Sequence, residues 1–347
     1  KLLNDLNPYR PIILPLSEEI ARPLWSVMIP TYNCTEYLRY TLKSVLAQDP
    51  GAEKMQIVVV DNNSTEGDPE AVVKELAGER VEFHRQPYNV GLMNNFQTCF
   101  ELSRGKLIHL LCSDDCVREG FYEKMALPFE ENPEVGAAFC RSILIDKNNT
   151  WQGLSDFEMP SSGILPQDWL HRIAELCCIS VPSLAVVRRD VYENLGGFDR
   201  RCGISADWEM WVRIFANYPM WFEAEPLAMW RVHLESANNV NAKSDIFIEE
   251  NYNTVETILQ SYFPNGVNSK LARTVKQNCA FLALESANAL IQKGDISEGM
   301  VQLKTALNYS KSPKVLRSAS RIFLWNRTIS LGKKVLKSGG YRESLEM

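Results

Sequence analysis

Short apolar runs that end in polar loops, each followed by a stretch with a single apolar face, alternate along the first third of the chain. Trp25 to Ile29 is the first run and ends at Pro30-Thr31-Tyr32-Asn33. Thr35 and Glu36 then open a helix whose Leu38, Leu42, Val45 and Leu46 share one face. Gln56 to Val60 is a β-branched strand that stops at Asp61-Asn62-Asn63-Ser64, and Pro69 to Leu76 reads as a helix. Val81 to Arg85 is a third strand, Gly91 to Leu102 a third helix, and Lys106 to Leu111 a fourth strand that runs straight into Ser113-Asp114-Asp115. Strands that are continuously apolar and alternate with helices predict parallel βαβ units, right-handed crossovers and a sheet covered on both faces.

The rhythm changes after residue 116. Val135 to Ile145 and Val181 to Val187 read as strands, Ala206 to Ala216 as a helix and Trp221 to His233 as extended chain. Beyond Ser244 the pattern is helical, and Asn278 to Ile291 with Ser297 to Leu307 forms one helical hairpin of the tetratricopeptide kind, a single copy rather than an array. Four prolines before residue 24 mark an extended arm. The predicted organisation is an arm at 1–23, an α/β domain at 24–243 in two halves (24–116 and 117–243), and a helical region at 244–347.

Composition adds limits. With 45% hydrophobic and 23% charged residues among 347, the chain is of the soluble globular class, and no apolar run approaches the roughly 18 residues that span a bilayer. Nine cysteines scattered through apolar segments, without a Cys-x-x-Cys pair, predict buried reduced thiols and a cytoplasmic setting. The net charge of −6 is divided unevenly. From residue 303 onward ten Lys and Arg face only Glu343 and Glu346, so the tail carries +8 and the remainder −14. Within it Val315, Ala319, Ile322, Ile329 and Leu336 fall on one helical face, with Phe323 and Trp325 as further apolar anchors. Two readings stand for this tail: a basic amphipathic helix on an anionic membrane surface, and a helix packed on the domain with a solvated basic face.

The candidate chemistry lies at the strand ends. Ligands of open parallel sheets bind outside the carboxyl ends of the strands, and there stand Thr31, Asn33, Asp61, Asp114 and Asp115. Taken alone, Asp114-Asp115 suits a solvated turn as well as a site. The chain has neither Gly-x-Gly-x-x-Gly after its first strand nor a phosphate-binding Gly-x-x-x-x-Gly-Lys-Ser/Thr loop. A divalent metal held by carboxylates is the remaining simple partner for a diphosphate.

Ile29-Pro30-Thr31-Tyr32-Asn33, Val60-Asp61-Asn62-Asn63-Ser64, Asn89-Val90-Gly91 with Asn95, Ser113-Asp114-Asp115, Gly196-Gly197-Phe198-Asp199 and Ala206-Asp207-Trp208-Glu209-Met210-Trp211 occur in an order and spacing that resembles family-2 glycosyltransferases. The resemblance covers about residues 25 to 235. It implies a GT-A fold, an α/β (Rossmann-like) mixed central sheet with flanking helices, whose first half binds a nucleotide-diphospho-sugar, most often a UDP-sugar, and whose second half binds the acceptor. It implies that Pro30, Thr31, Asn33, Asp61, Asn89, Gly91, Asn95, Ser113 and Asp114 line the donor, with Asp61 at the base and Asp114 near the ribose. Asp115 would hold Mn2+ or Mg2+, with His233 as a metal contact and Arg231 near the diphosphate. Asp207 matches the family's catalytic base, with Ala206 where an acid often stands. An inverting transfer to a hydroxyl of a glycan, glycolipid or glycoprotein follows from the resemblance, with no nucleic acid involved. Cys112 departs from the pattern, since relatives often carry an acid there.

Bland alternatives accompany each assignment. Asp207 also suits a helix cap, Trp208 and Trp211 suit the core as well as an acceptor-stacking surface, and Arg85 suits an exposed surface better than a phosphate contact. At the level of the whole chain, a sugar-phosphate nucleotidyltransferase and a catalytically silent glycan-binding scaffold compete with sugar transfer. The expected location is the cytoplasm, peripheral to the inner face of a membrane.

Overall fold

The computed structural model describes residues 7–233, 245–263 and 270–324. The first six residues of the predicted arm and the tail beyond residue 324, including Trp325, Ile329 and Leu336, lie outside the described residues.

β1 (Trp25–Thr31) and β2 (Met55–Asp61) are buried at every position, as strands covered on both faces must be. Between them α1 (Thr35–Leu46) buries Leu38, Leu42 and Val45 against the sheet. α2 (Pro69–Ala77) begins where the Asp68 carboxylate accepts from the Ala71 N–H and Pro69 occupies the first turn, which needs no N–H there. β3 (Glu82–Arg85), α3 (Leu92–Leu102) and β4 (Leu107–Leu110) complete the expected alternation. β1 pairs in parallel with β2 and β4, and β2 in parallel with β3, which places the ends of β1, β2 and β4 at one edge of the sheet.

The second half extends the same sheet and brings strands of opposite direction into it. It comprises β5 (Cys116–Val117), α4 (Phe121–Glu131), β6 (Ala137–Ile145), β7 (Trp151–Leu154), β8 (Gly163–Ile164), α5 (Trp169–Glu175), β9 (Ala185–Arg188), α6 (Arg189–Leu195), α7 (Ala206–Asn217) and β10 (Met220–Arg231). The strand order is β3-β2-β1-β4-β9-β6-β10-β5, with β9 antiparallel to both β4 and β6. The sheet is therefore mixed. The strand expected over Val181 to Val187 is half right: Pro182–Leu184 forms a 3-10 turn first, because proline opens it and β9 begins only at Ala185.

Three helices follow: α8 (Asp245–Tyr262), α9 (Lys270–Lys293) and α10 (Ile296–Tyr309). α9 and α10 form the expected hairpin, turned at Gly294 with φ of 103°. A last helical stretch covers residues 313–324 and packs Val315 and Ala319 on that hairpin. Among the described residues no helix is long and apolar enough to cross a membrane. All nine cysteines are free thiols.

The arm is extended, as its prolines dictate, but it is tied into the fold. Ile13 is buried, and the Gly197 N–H donates to Pro11 O at 2.8 Å. This explains the double glycine: Gly196 has φ of 79°, and a Cβ on Gly197 would stand 2.5 Å from Gln97 Oε1. Arg10 then reaches Asp199 at 3.1 Å and Glu209 at 3.0 Å, both carboxylates fully buried. Arg201 and Arg213 complete this network at 2.7 and 3.2 Å, and the Tyr262 hydroxyl of α8 donates to Glu209 at 2.7 Å. Desolvation pushes the Asp199 carboxyl up, but the hydrogen bonds and charges of Arg201 and Arg10 outweigh it and hold it below the ordinary range. The network fixes α7 from both ends of the chain.

Candidate active site

The end of β4 turns the chain so that its two acids face different surroundings. Asp115 is buried: its Oδ2 accepts from Ser183 Oγ at 2.6 Å and its Oδ1 from the Arg231 N–H at 2.8 Å. The Thr41 hydroxyl braces the turn from α1, 2.7 Å from Asp115 O and 2.8 Å from Ser113 O. Asp114 is the outer acid, with 23% of its side chain exposed and its Oδ2 3.1 Å from His233 Nε2. Burial, and then the charge of Asp114, push the Asp115 carboxyl well above the usual carboxylate range. Such a pair is short of positive charge, which a divalent cation would supply.

Cys112 completes the cluster. Its sulfur and one oxygen from each acid lie within 4.8 Å of one another. Its N–H donates to Ser183 Oγ at 2.9 Å. Burial raises its thiol pKa well above the ordinary value, and the charges of Asp115, Asp114 and Asp207 raise it further. The last of these matters most for the geometry. Asp207, 92 positions away in sequence from Asp115, is near enough for its charge to be felt at the end of β4.

Asp207 stands in the first turn of α7 and retains solvent contact, while Trp208 and Trp211 on the same helix are core residues. The Trp208 indole donates to Ile173 O at 2.6 Å, so neither ring forms an acceptor-stacking surface. Trp221 and Trp230 are half-buried, and among the described residues the exposed indole is Trp151, at 62%. The Asp207 Oδ1 accepts from the Trp208 N–H at 2.8 Å, yet desolvation by the surrounding protein dominates and raises the carboxyl to about 7. A bare cap at a helix N-terminus would be stabilised as the anion instead.

On the opposite side, Asp61 is held at both oxygens: Oδ1 accepts from Ser64 N–H at 3.1 Å and Oγ at 2.6 Å, and Oδ2 from Arg85 Nε at 2.8 Å. Arg85 is therefore the ion-pair partner of Asp61 and not an unattached surface cation. Asn33, at φ of 50°, uses its Oδ1 to accept from the Thr65 and Glu66 N–H groups and so shapes the loop after β1. Asn89 Oδ1 accepts from Asn62 Nδ2 and the Gly91 N–H, both at 2.9 Å. Gly91 caps α3 with φ of 84°. Asn95 is buried and donates to Val60 O at 3.0 Å, so it holds the end of β2 in place. Pro30 and Thr31 end β1, and Thr31 Oγ1 is buried without a protein partner among the described residues.

Arg231 is bonded to protein partners on several sides. Its guanidinium donates to Asp114 O at 2.7 Å, Asp146 O at 2.8 Å and Asn149 Oδ1 at 2.7 Å, and lies over the Tyr37 ring at 4.6 Å. It is fully buried and clamps the loop after β6 to the acid turn. Sequence reasoning misses Thr41, Ser183 and Tyr37, whose residue types carry no signal of their own. His109, inside β4, is likewise silent in sequence: it contacts Tyr122 OH at 3.2 Å and Ser183 O at 3.0 Å, and burial lowers its pKa to about 4.

The model of the glycosyl transferase family 2 matches residues 26–196. An uncharacterised Mycobacterium tuberculosis protein is 30% identical over 222 residues, which are 61% of this chain and 68% of that one. The structure of S. aureus TarS 1-349 in complex with UDP-GlcNAc superposes with a TM-score of 0.59 at 15% identity, covering 92% of this chain and 93% of that chain. The Pyrobaculum calidifontis mannosyltransferase PcManGT, in complex with GDP-Man and Mn2+, matches at a TM-score of 0.51 and 16% identity over 94% and 84% of the two chains. These are glycosyltransferases of the GT-A fold, and their likeness shows that fold here. A mixed sheet with acids at the end of β4, a further acid at the start of α7 whose charge reaches Cys112, and a matching family model across the strands that carry the first group converge on one result: the chain belongs to glycosyltransferase family 2.

Proposed function

We propose that the protein transfers a sugar from a nucleoside-diphospho-sugar, a UDP-sugar in first place, to a hydroxyl of a glycan, glycolipid or glycoprotein, with inversion at the anomeric carbon. The observation that carries this is the cluster of Asp114, Asp115 and Cys112 after β4, whose ligand atoms lie within 4.8 Å of one another, with the charge of Asp207 on α7 reaching Cys112. The UDP-GlcNAc bound by TarS and the GDP-Man and Mn2+ bound by PcManGT support the donor class and the metal.

Asp207 serves the nucleophile. As the acceptor oxygen bonds to the anomeric carbon, its proton passes to the Asp207 carboxylate, and the bond from that carbon to the diphosphate oxygen breaks. A base raised to about 7 is suited to this, because about half of it is ionised at neutral pH and it still holds a proton well. Attack opposite the leaving group needs one base and no covalent sugar intermediate.

The acid turn serves the leaving group. Asp114, outward and beside His233, is the accessible metal ligand, and Asp115 is the inner acid whose oxygens are already bonded to Ser183 and Arg231. This reverses the division read from sequence, in which Asp115 binds the metal and Asp114 the ribose. Mn2+ or Mg2+ suits these oxygen donors and would neutralise charge on the departing diphosphate. Pro30, Thr31, Asn33, Asp61, Asn89 and Gly91 then shape the donor side, with Asn95 behind them.

The test is release of nucleoside diphosphate from a panel of UDP- and GDP-sugars with Mn2+. Asp207→Asn and Asp114→Ala are expected to lower kcat by about 10²- to 10⁴-fold while the chain stays folded. If no donor is turned over, or if both variants match the wild type, the proposal fails.

A further inference from the structure

The last helical stretch, residues 313–324, buries the face that the sequence singles out for a membrane. Val315 and Ala319 are buried and Ile322 is half-buried against Ala280, Ala283 and Leu303 of the hairpin. A different face points outward: Leu316, Phe323 and Leu324 are 46%, 40% and 60% exposed. With Leu303 and Leu307 of α10 they line an open apolar groove of about 320 Å³. Positions 316, 320, 323 and 324 follow helical spacing, so these side chains form one stripe along the helix.

Cations flank the stripe on the side away from the hairpin. Lys314, Arg317 and Arg321 are exposed along the same helix, and Lys304 on α10 and Lys311 in the connecting turn are exposed as well. No acid occurs anywhere from residue 299 to residue 342. An apolar groove on a helix that also exposes Lys314, Arg317 and Arg321 calls for an occupant that is anionic at its surface and apolar beneath it. A second copy meeting this face would bring like charges together, and a nucleic-acid backbone offers no apolar surface to Leu316 and the groove.

We propose that this face docks on an anionic lipid bilayer, with Leu316, Phe323 and Leu324 entering the headgroup and acyl boundary and the Lys and Arg side chains pairing with lipid phosphates. The inference is independent of the sugar-transfer reading, since none of these residues belongs to the acid cluster. Docking here would hold the enzyme at a surface where lipid-linked acceptors reside.

Flotation of the full chain tests it, with vesicles of phosphatidylcholine alone and of phosphatidylcholine with an equal part of phosphatidylglycerol. The wild type is expected to float with the second and to be released by salt. Arg317→Gln with Arg321→Gln is expected to weaken partitioning about 25-fold, at about a factor of five for each cation near the surface. Leu316→Ser with Phe323→Ser is expected to weaken it while leaving the melting temperature and the nucleoside-diphosphate release unchanged. Binding to phosphatidylcholine alone at equal strength would overturn the proposal, and so would flotation that neither double variant alters. A concentration-dependent dimer that Leu316→Ser with Phe323→Ser dissolves, with no lipid binding, would show that a second copy covers the groove instead.

Discussion

Asp207→Asn separates the chemistry of this carboxyl from its cost to the fold. The ordinary value of 3.8 and the raised value of about 7 differ by a little over three units. At about 1.36 kcal/mol per unit, ionising Asp207 in the folded chain costs at most about 4 kcal/mol, and solvent contact at the carboxyl screens this to about 2 kcal/mol. The sign follows from proton counting. Between pH 4 and 7 the folded protein holds a proton that the unfolded chain has released, so this group lowers stability as pH rises through that window and contributes no further change above it. Asparagine has the same shape, keeps an Oδ1 to accept from the Trp208 N–H at 2.8 Å, and never ionises. The variant is therefore expected to match the wild type at or below about pH 4, to pull ahead steadily as pH rises to about 7, and to exceed it by about 2 kcal/mol at pH 8. Urea unfolding at pH 5, 6, 7 and 8, without nucleotide or metal, measures the gap. Activity runs the other way: wild-type kcat/KM is expected to rise with pH through about 7, and the residual activity of the variant to lack that rise. A stability gap that stays flat from pH 5 to pH 8, or a variant less stable at pH 8, would refute the reasoning, because either result means that the native carboxyl is not desolvated.

Two further outcomes follow from the supports of the site. Ser183→Ala removes the 2.6 Å hydrogen bond to the buried Asp115 carboxylate and the acceptor of the Cys112 N–H, and is expected to cost about 2 to 3 kcal/mol in urea unfolding and to weaken Mn2+ binding in titration calorimetry; a loss below about 0.5 kcal/mol would show that Asp115 finds other donors. Arg10→Ala leaves Asp199 and Glu209 buried with one cation fewer each, and is expected to destabilise by about 3 kcal/mol, the low end for a broken buried pair because Arg201 and Arg213 remain. Wild-type stability in that variant would mean that the arm does not hold α7.

Much of the first half was legible because its residues repeat a physical rule. Strands buried on both faces must be apolar throughout, so Met55–Asp61 declares itself within one or two residues. The motif set around Thr31, Asp61, Asp114 and Asp207 likewise marks the family, since each residue type suits a strand end or a helix start. The division of roles within the acid turn was not legible. Asp114 and Asp115 are neighbours of the same type, and only the approach of Ser183 and Arg231 makes one inner and the other outer. The protein partners of Arg231 and Arg85 were not legible either: Arg85 is exposed, as its sequence position suggested, but a guanidinium looks alike in sequence whether it faces solvent, a carbonyl or a buried carboxylate.

The outward face of residues 313–324 shows the limit from another side. Periodicity identified Val315, Ala319 and Ile322 as one apolar stripe, but a helix with two apolar stripes can bury either, and the hairpin settled which. The sequence by itself determined the alternation of strands and helices, the residue types at the strand ends and the excess of positive charge in the tail, because these depend on local periodicity and composition. Tertiary structure decided the antiparallel insertion of β9, the reach of the Asp207 charge to Cys112, and the desolvation that raises the Asp207 carboxyl to about 7, because each depends on how far apart in space residues distant along the chain come to rest.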